Sequence, residues 1–237
     1  MTLRVLLNEN EINNERNKLL RKRASSVDNS IRRFLRKFGL VRGMAVGDIS
    51  KSWDVSSTVC FLEGHVKLNE PILDIGCYAS ELIVALYELG FTNLSGADLN
   101  PHVREMPYSG EIRYEVCDFM HTQFADTSFR AITSISVIEH GFDATSLLKE
   151  LSRLLMPGGY FIASFDYWPE KIDTTGMKYF GLDWMIFSKD DVCDFVAKAA
   201  SYGLFPVGDM MFDGESRVIE CGGINYTFAW LVLQKKV

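Results

Sequence analysis

Residues 71–86, PILDIGCYASELIVAL, constrain the fold more than any other stretch of the chain. Ile72, Leu73 and Ile75 form the near-unbroken apolar run of a parallel strand buried on both faces. Gly76 frees the backbone where that strand ends. Ser80 suits a helix N-cap, and Leu82, Ile83, Ala85, Leu86 and Leu89 recur at helical spacing, so a helix with one apolar face on the sheet should follow. Strand, tight turn and helix in succession are the repeating unit of an open α/β sheet. Ligands of such sheets bind beyond the carboxyl ends of the strands, where helix N-termini offer unpaired N–H groups. Residues 74–81 are therefore the first place to expect a cofactor.

The alternation continues downstream. Strands are expected over residues 94–97, 111–116, 131–137 and 160–165, each closed by a polar group: Asp98, Asp118, Glu139 with His140, and Asp166. Asp143 suits the cap of a helix through residue 155, stopped by Pro157-Gly158-Gly159, and Ser188 suits the cap of another to about residue 202. The end differs. Residues 204–212 and 225–234 are strand-like with no helix of adequate length between them, the pattern of an antiparallel pair at a sheet edge.

Charge divides the chain unevenly. Residues 1–43 hold eleven Lys and Arg against four Asp and Glu, while the other 194 hold fourteen against twenty-seven, for a net charge of −6. Residues 16–38 read as two helical pieces broken near Ser25-Ser26. The second, capped by Asp28 or Ser30, carries the stripe Ile31, Phe34, Leu35 and Phe38 among basic residues. The simplest reading is a basic helical arm over residues 1–50 that lays its stripe on an acidic main domain over residues 51–237. No nucleic-acid motif accompanies it, so no nucleic-acid partner is expected. A helix over residues 55–66 delivers the chain to the first strand, and Lys51 and Trp53 precede it, where a segment can fold back over the site. The five cysteines form no Cys-x-x-Cys pair and read as reduced structural thiols. With no apolar run near the roughly 18 residues of a membrane span and no signal-peptide core, no stable membrane insertion and a cytoplasmic location are expected.

Five motifs then carry a resemblance: Ile72-Leu73-Asp74-Ile75-Gly76-Cys77, Gly96-Ala97-Asp98-Leu99-Asn100, Cys117-Asp118-Phe119, Ser134 through His140, and Leu154-Leu155-Met156-Pro157-Gly158-Gly159. In this order and spacing, from about residue 53 to residue 236, the chain resembles the class I S-adenosylmethionine-dependent methyltransferases. It is similar to type 11-like members, and in its later part to members from bacterial surface-sugar clusters. The resemblance implies an α/β, doubly wound, seven-stranded, mostly parallel sheet with a reversed last strand, the Rossmann-like methyltransferase fold. It implies S-adenosyl-L-methionine as cofactor. Asp98 would then accept hydrogen bonds from the ribose hydroxyls, a charge-assisted pairing. Asp118 would hold the adenine amino group, with Leu99 and Phe119 offering apolar faces to the ring. Gly76 and the N–H groups near Tyr78 would face the methionine end, and Asp74, Cys77 and Ser136 complete the expected cofactor shell. The chain departs from the family where further glycines are usual: Tyr78 and Ser80 stand there, and side chains at these places narrow the space and restrict the backbone.

Methyl transfer to a hydroxyl requires an acceptor aligned with the departing sulfur and stripped of its proton. His140, at the end of the fourth expected strand, is the leading base, with Asp143, Asp166 and Glu139 as alternatives; the competing reading of His140 is a loop histidine that orients backbone or cofactor. Asp166 and His140 alone are too thin a ligand set, so no metal is expected. The chain lacks the Asn/Asp-Pro-Pro-Tyr/Phe motif and the cysteine motif of the family's amine and base-carbon chemistries, which leaves a small hydroxylated acceptor such as a sugar or nucleotide sugar. Residues 167–187, rich in aromatics, are the natural cover for it. A small-molecule partner is expected, and a homodimer is compatible with the sequence. Two alternatives stand beside this reading: a non-catalytic binding module on the same fold, and a nicotinamide-dependent oxidoreductase, against which the missing glycines of G-x-G-x-x-G count.

Overall fold

The computed structural model describes residues 2–25, 27, 38, 40, 44–141 and 143–237. In chain order its strands are β1 (Leu3–Val5), β2 (Ile72–Ile75), β3 (Leu94–Asp98), β4 (Arg113–Val116), β5 (Phe129–Ile135), β6 (Leu155–Tyr167), β7 (Lys178–Tyr179), β8 (Leu182–Asp183), β9 (Leu204–Pro206), β10 (Ile219–Cys221) and β11 (Ile224–Lys235). The helices are α1 (Glu9–Arg21), α2 (Ser52–His65), α3 (Leu82–Glu88), α4 (Ala144–Leu154) and α5 (Lys189–Ala200).

One sheet runs β1-β11-β6-β5-β2-β3-β4, with β9 and β10 also paired to β11. The neighbours from β4 to β6 are parallel, because each pair is joined by a crossover long enough to return the chain to the same edge. β11 lies antiparallel to β6, from Thr227 opposite Tyr167 to Gln234 opposite Tyr160. The expected mostly parallel sheet with a reversed last strand is thus present. It is extended to nine strands by β1 and β10. Strand order reverses at β2, so the carboxyl ends of β2, β3 and β5 open on a common crevice.

The helix ends follow local chemistry. Asp143 accepts from the Thr145 and Ser146 amides, at 3.3 and 2.7 Å, and starts α4. Ser188 and Asp191 form a reciprocal capping box on α5. α3 begins one residue later than the Ser80 cap predicts, although Ser80 Oγ still accepts from the Leu82 amide at 3.2 Å.

The amino-terminal segment departs from the separate arm that its charge suggests. Leu3, Arg4 and Val5 pair antiparallel with Leu231, Trp230 and Ala229, so β1 covers part of the edge of β11. Leu3, Leu6, Leu19 and Ala24 are fully buried. α1 starts at Glu9 rather than near residue 16, because Glu9 and Glu11 favour the positive end of a helix and Leu7 donates its amide to Glu11 Oε2 at 3.3 Å. A division of the chain at residue 50 therefore cuts through one core. The second basic helix expected between Asp28 and Phe38 lies outside the described residues. Truncating a fully buried leucine leaves a cavity, so Leu6→Ala is expected to lower the unfolding free energy by about 2 to 5 kcal/mol. Urea titration followed by circular dichroism checks this. A loss below about 0.5 kcal/mol would instead mark residues 1–50 as an appended arm outside the core.

Candidate functional site

Three loops converge at the carboxyl ends of β2, β3 and β5. Gly76 has φ +66°, and a Cβ there would lie 2.4 Å from Val137 Cγ2, so the turn after β2 can press on the turn after β5 only as glycine. A Cβ on Gly96 would likewise meet Cys77 Sγ at 2.6 Å. Asp98 ties the loops together: Oδ2 accepts from the Tyr78 amide at 2.9 Å and Oδ1 from the Asn100 amide at 2.8 Å. Each carboxylate oxygen keeps a further lone pair for a ligand hydroxyl.

The cavity bounded by these loops has a volume of about 770 Å³, within the usual range for a cofactor-sized ligand. Of the residues assigned to the cofactor by sequence, Gly76, Tyr78, Asp98, Leu99, Asp118, Phe119 and Ser136 line it. Asp74 and Cys77 do not. Asp74 is buried beneath the floor, where Thr133 Oγ1 donates to its Oδ1 at 2.7 Å and burial pushes its carboxyl up to about 7. Cys77 is fully buried against Gly96, and burial pushes its thiol well above the usual range. Both residues are spent on packing.

The turn tolerates the two non-glycine residues for a specific reason. The left-handed residue is Ala79, with φ +60°, and neither Tyr78 nor Ser80 takes a positive φ. Tyr78 instead lines the cavity as a wall, and Ser80 donates its amide to the Cys77 carbonyl at 3.0 Å. The side chains narrow the cavity without distorting their own backbone.

A buried polar group lies behind Ser136. Ser136 is itself left-handed, with φ +53°, a conformation that costs a non-glycine residue of order 1 kcal/mol or more. Lys51 donates to its Oγ and also sits 3.6 Å from the centre of the Phe228 ring. Lys51 reaches the cavity, while Trp53, two residues on, is buried in the core. Around this cation stand Asp54, Glu139, His140 and Asp166. Burial raises Asp54 to about 6 against the pull of Lys51, and Ser164 Oγ donates to its Oδ2 at 2.8 Å. Burial, then the charge of Asp166, raises Glu139 well above the carboxylate range. Burial raises Asp166 as well, opposed by Lys51 and by Trp184, whose Nε1 donates to Oδ2 at 2.7 Å.

His140 lines the cavity, and its ring meets that of Phe180 edge-on at 5.6 Å. Burial, then the positive charge of Lys51, lowers the imidazole to about 4, so it is neutral at physiological pH. Its buried Nδ1 has no hydrogen-bond partner among the described residues. The other three sequence candidates for catalysis, Glu139, Asp143 and Asp166, do not line the cavity, and Glu139 is buried. Asp143 is the exposed cap of α4, and the Ser146 hydroxyl, then the Ser146 and Thr145 amides, hold its carboxyl below the usual range. Asp166 is buried behind Trp184. Glu81 and Leu182, within the expected 74–81 turn and 167–187 cover, line the cavity, and so do Gly47 and Asp48, which sequence reasoning missed. No motif marks them. Among the described residues no cluster of three or more His, Cys, Asp or Glu gathers to hold a metal ion, and no helix is long and apolar enough to cross a membrane.

The expected aromatic cover divides in two. Tyr167, Trp184 and Phe187 are buried, whereas Phe180 is 90% exposed at the tip of the β7–β8 hairpin and lines the cavity.

A reversed β11 beside a parallel β6-β5-β2-β3-β4 run, with an acidic residue closing β3 over the crevice, is the fold of the class I S-adenosylmethionine-dependent methyltransferases. Residues 73–163 match the family described as Methyltransferase domain. Methyltransferase GfsG from Streptomyces halstedii is 26% identical over 102 residues, which cover 40% of this chain and 37% of that protein. The chain thus matches little more than a third of this curated relative's length. Among solved structures, the cyclase SpnF superposes with a TM-score of 0.62 at 13% identity, covering 81% of this chain and 84% of that one. The geranyl diphosphate C-methyltransferase of Streptomyces coelicolor A3(2), solved with Mg2+, geranyl diphosphate and S-adenosyl-L-homocysteine, superposes with a TM-score of 0.56 at 17% identity, covering 76% and 77%. At these identities the two structures speak for the fold alone. The cofactor of the family is S-adenosylmethionine. The nicotinamide-dependent alternative has no support in these matches.

Proposed function

We propose that the chain is an S-adenosylmethionine-dependent methyltransferase that O-methylates a small hydroxylated acceptor, such as a sugar or nucleotide sugar. The observation that carries this reading is the single cavity onto which Asp98, Asp118, Ser136 and His140 all open, at the carboxyl ends of consecutive parallel strands. The site fits the cofactor by its chemistry. Asp98 would take the ribose hydroxyls on its free lone pairs, Leu99 and Phe119 would flank the adenine, and Asp118 would accept from the adenine amino group. The bound cofactor supplies an electrophilic methyl on a sulfonium.

The chain's own residues then have to align the acceptor, exclude water and take its proton. His140 is the proposed base. With an acceptor aligned against that methyl, the neutral imidazole of His140 would take the acceptor's hydroxyl proton at Nδ1, unpartnered among the described residues, or at Nε2. Lys51 opposes the imidazolium that results, so the proton is readily released afterwards. Detection of the copurified cofactor by mass spectrometry, followed by S-adenosylhomocysteine release across a panel of free sugars, nucleotide sugars and phenols, tests this reading. A protein that neither carries nor binds the cofactor would sink it.

A non-catalytic or non-methylating module on the same fold is the second reading. It is favoured by Tyr78 and Ser80 in the cofactor turn. Tight cofactor binding with no acceptor response across the panel would support it.

Phe180 bears on the acceptor. It and Gly181 occupy the two central places of the hairpin turn with φ +55° and +80°, the type I′ geometry that favours Asn or Gly at the first place. An exposed phenylalanine there gains little from burial and costs the turn about 1 kcal/mol. Such a residue suits an apolar or stacking face for the acceptor. Phe180→Asn is expected to raise the unfolding free energy by about 0.5 to 1 kcal/mol in urea titration while raising the acceptor KM. A variant in which stability and KM both stay put would remove Phe180 from acceptor binding.

A further inference from the structure

We propose that Arg16 is a positioning residue for the cofactor-facing turn, so that α1 is part of the cofactor-binding unit. The inference rests on reading the cavity as the S-adenosylmethionine site. Arg16 lies on α1, is buried, and does not line the cavity. Its guanidinium grips Glu81 in a fork, Nη1 to Oε1 at 2.7 Å and Nη2 to Oε2 at 2.9 Å, across 65 positions of sequence. Its remaining donors go to Ser52 Oγ at 2.9 Å, Ser25 Oγ at 2.7 Å and the Asp48 carbonyl at 3.4 Å. All five N–H groups are thereby engaged.

Glu81 and Asp48, by contrast, line the cavity. Glu81 follows the left-handed Ala79, and the same piece of chain is held from the other side, where Gly47 donates its amide to the Ala79 carbonyl at 2.8 Å. A Cβ on Gly47 would lie 2.7 Å from Glu81 Cβ, so the three segments mesh without slack. Further donors converge on Glu81 Oε1 from Ser25 Oγ at 3.1 Å and the Val27 amide at 3.3 Å. A strained turn keeps its shape only where its surroundings over-determine it. Here those surroundings come from the amino-terminal segment, and Arg16 is the group that joins them. A lysine keeps the charge but cannot reproduce the planar fork or the five bonds.

The test uses the full-length chain and S-adenosylhomocysteine as the probe. In Arg16→Lys, calorimetry is expected to show affinity reduced about 10-fold, with cooperative melting retained. Hydrogen exchange of the ligand-free variant should quicken at residues 79–82 while the amides of β5 and β6 stay protected. Arg16→Met is expected to lose more affinity, and Lys18→Met, on the exposed face of α1, to lose none. Wild-type affinity in folded Arg16→Lys and Arg16→Met overturns the proposal and leaves the cofactor reading standing. Should the methionine variant not fold, the lysine variant decides by itself. A wild-type protein that does not bind S-adenosylhomocysteine brings down the cofactor reading, and this inference with it.

Discussion

Turnover in His140→Ala is expected to fall by about 10² to 10⁴ while affinity for S-adenosylhomocysteine stays within a factor of about 2, the separation that marks a lost general base. The lower end of that range is favoured, since an imidazole lowered to about 4 by burial and by Lys51 accepts a proton less avidly than one near 6.5. The same lowering sets the pH profile. His140 remains neutral down to about pH 4, so the acid limb of kcat that depends on it should lie near pH 4 instead of near 6.5. Its effect on stability has a definite sign. The unfolded chain takes up the histidine proton below about 6.5 and the folded chain does so only below about 4, so this residue makes the fold less stable as pH falls through that window. Asp54 and Asp74, raised to about 6 and about 7, act in the opposite sense. The stability they contribute is full below the ordinary aspartate value of 3.8 and is lost as pH rises through the folded values. Single-turnover measurements on wild type and variant, with an acceptor from the panel, separate the outcomes. Affinity lost together with turnover would make His140 an orienting residue, and full activity would remove it from the mechanism.

Asp98→Ala should weaken S-adenosylhomocysteine binding by roughly 1.5 to 3 kcal/mol, or about 10- to 150-fold, the range for hydrogen bonds to a charged group. Two causes contribute, and a second variant divides them. The carboxylate would bind the ribose, and it also holds the amides of Tyr78 and Asn100, so alanine loosens the turn after β2 as well as removing the acceptor. Asparagine keeps one acceptor oxygen and much of the shape, so Asp98→Asn should lose less and melt nearer to wild type. Isothermal calorimetry beside thermal melting checks both. Unchanged affinity in a folded Asp98→Ala protein would falsify the ribose assignment.

Much of the sheet was legible in the residues because its signals are local. The Ile72, Leu73 and Ile75 run, the polar closures at Asp98 and Asp118, and the caps Asp143 and Ser188 act within a few residues of themselves, and the structure puts strands and helices there. The same locality made some polar residues misleading. Asp74, at a strand end, resembles a ligand group in sequence, yet whether a side chain at the end of a parallel strand points to the crevice or under the floor depends on which neighbour it meets, and Thr133 on β5 takes it inward. Asp143 looked like a candidate base and is used up as a cap.

What the residues alone determined is the order of strands and turns, since apolar periodicity and turn chemistry are written in near neighbours. Only the tertiary structure decided which of those turns share a cavity and what holds them. Leu3 pairs with Leu231, Lys51 meets Ser136, and Arg16 grips Glu81, each across a separation over which periodicity carries no information. The basic charge of the amino-terminal segment suggested an arm laid on the surface of the main domain, because a count of charges cannot show that one arginine among eleven basic residues is buried with all its donors satisfied. Burial of that guanidinium is a property of the packed chain, and it ties the first helix to the turn at which the sequence pattern begins.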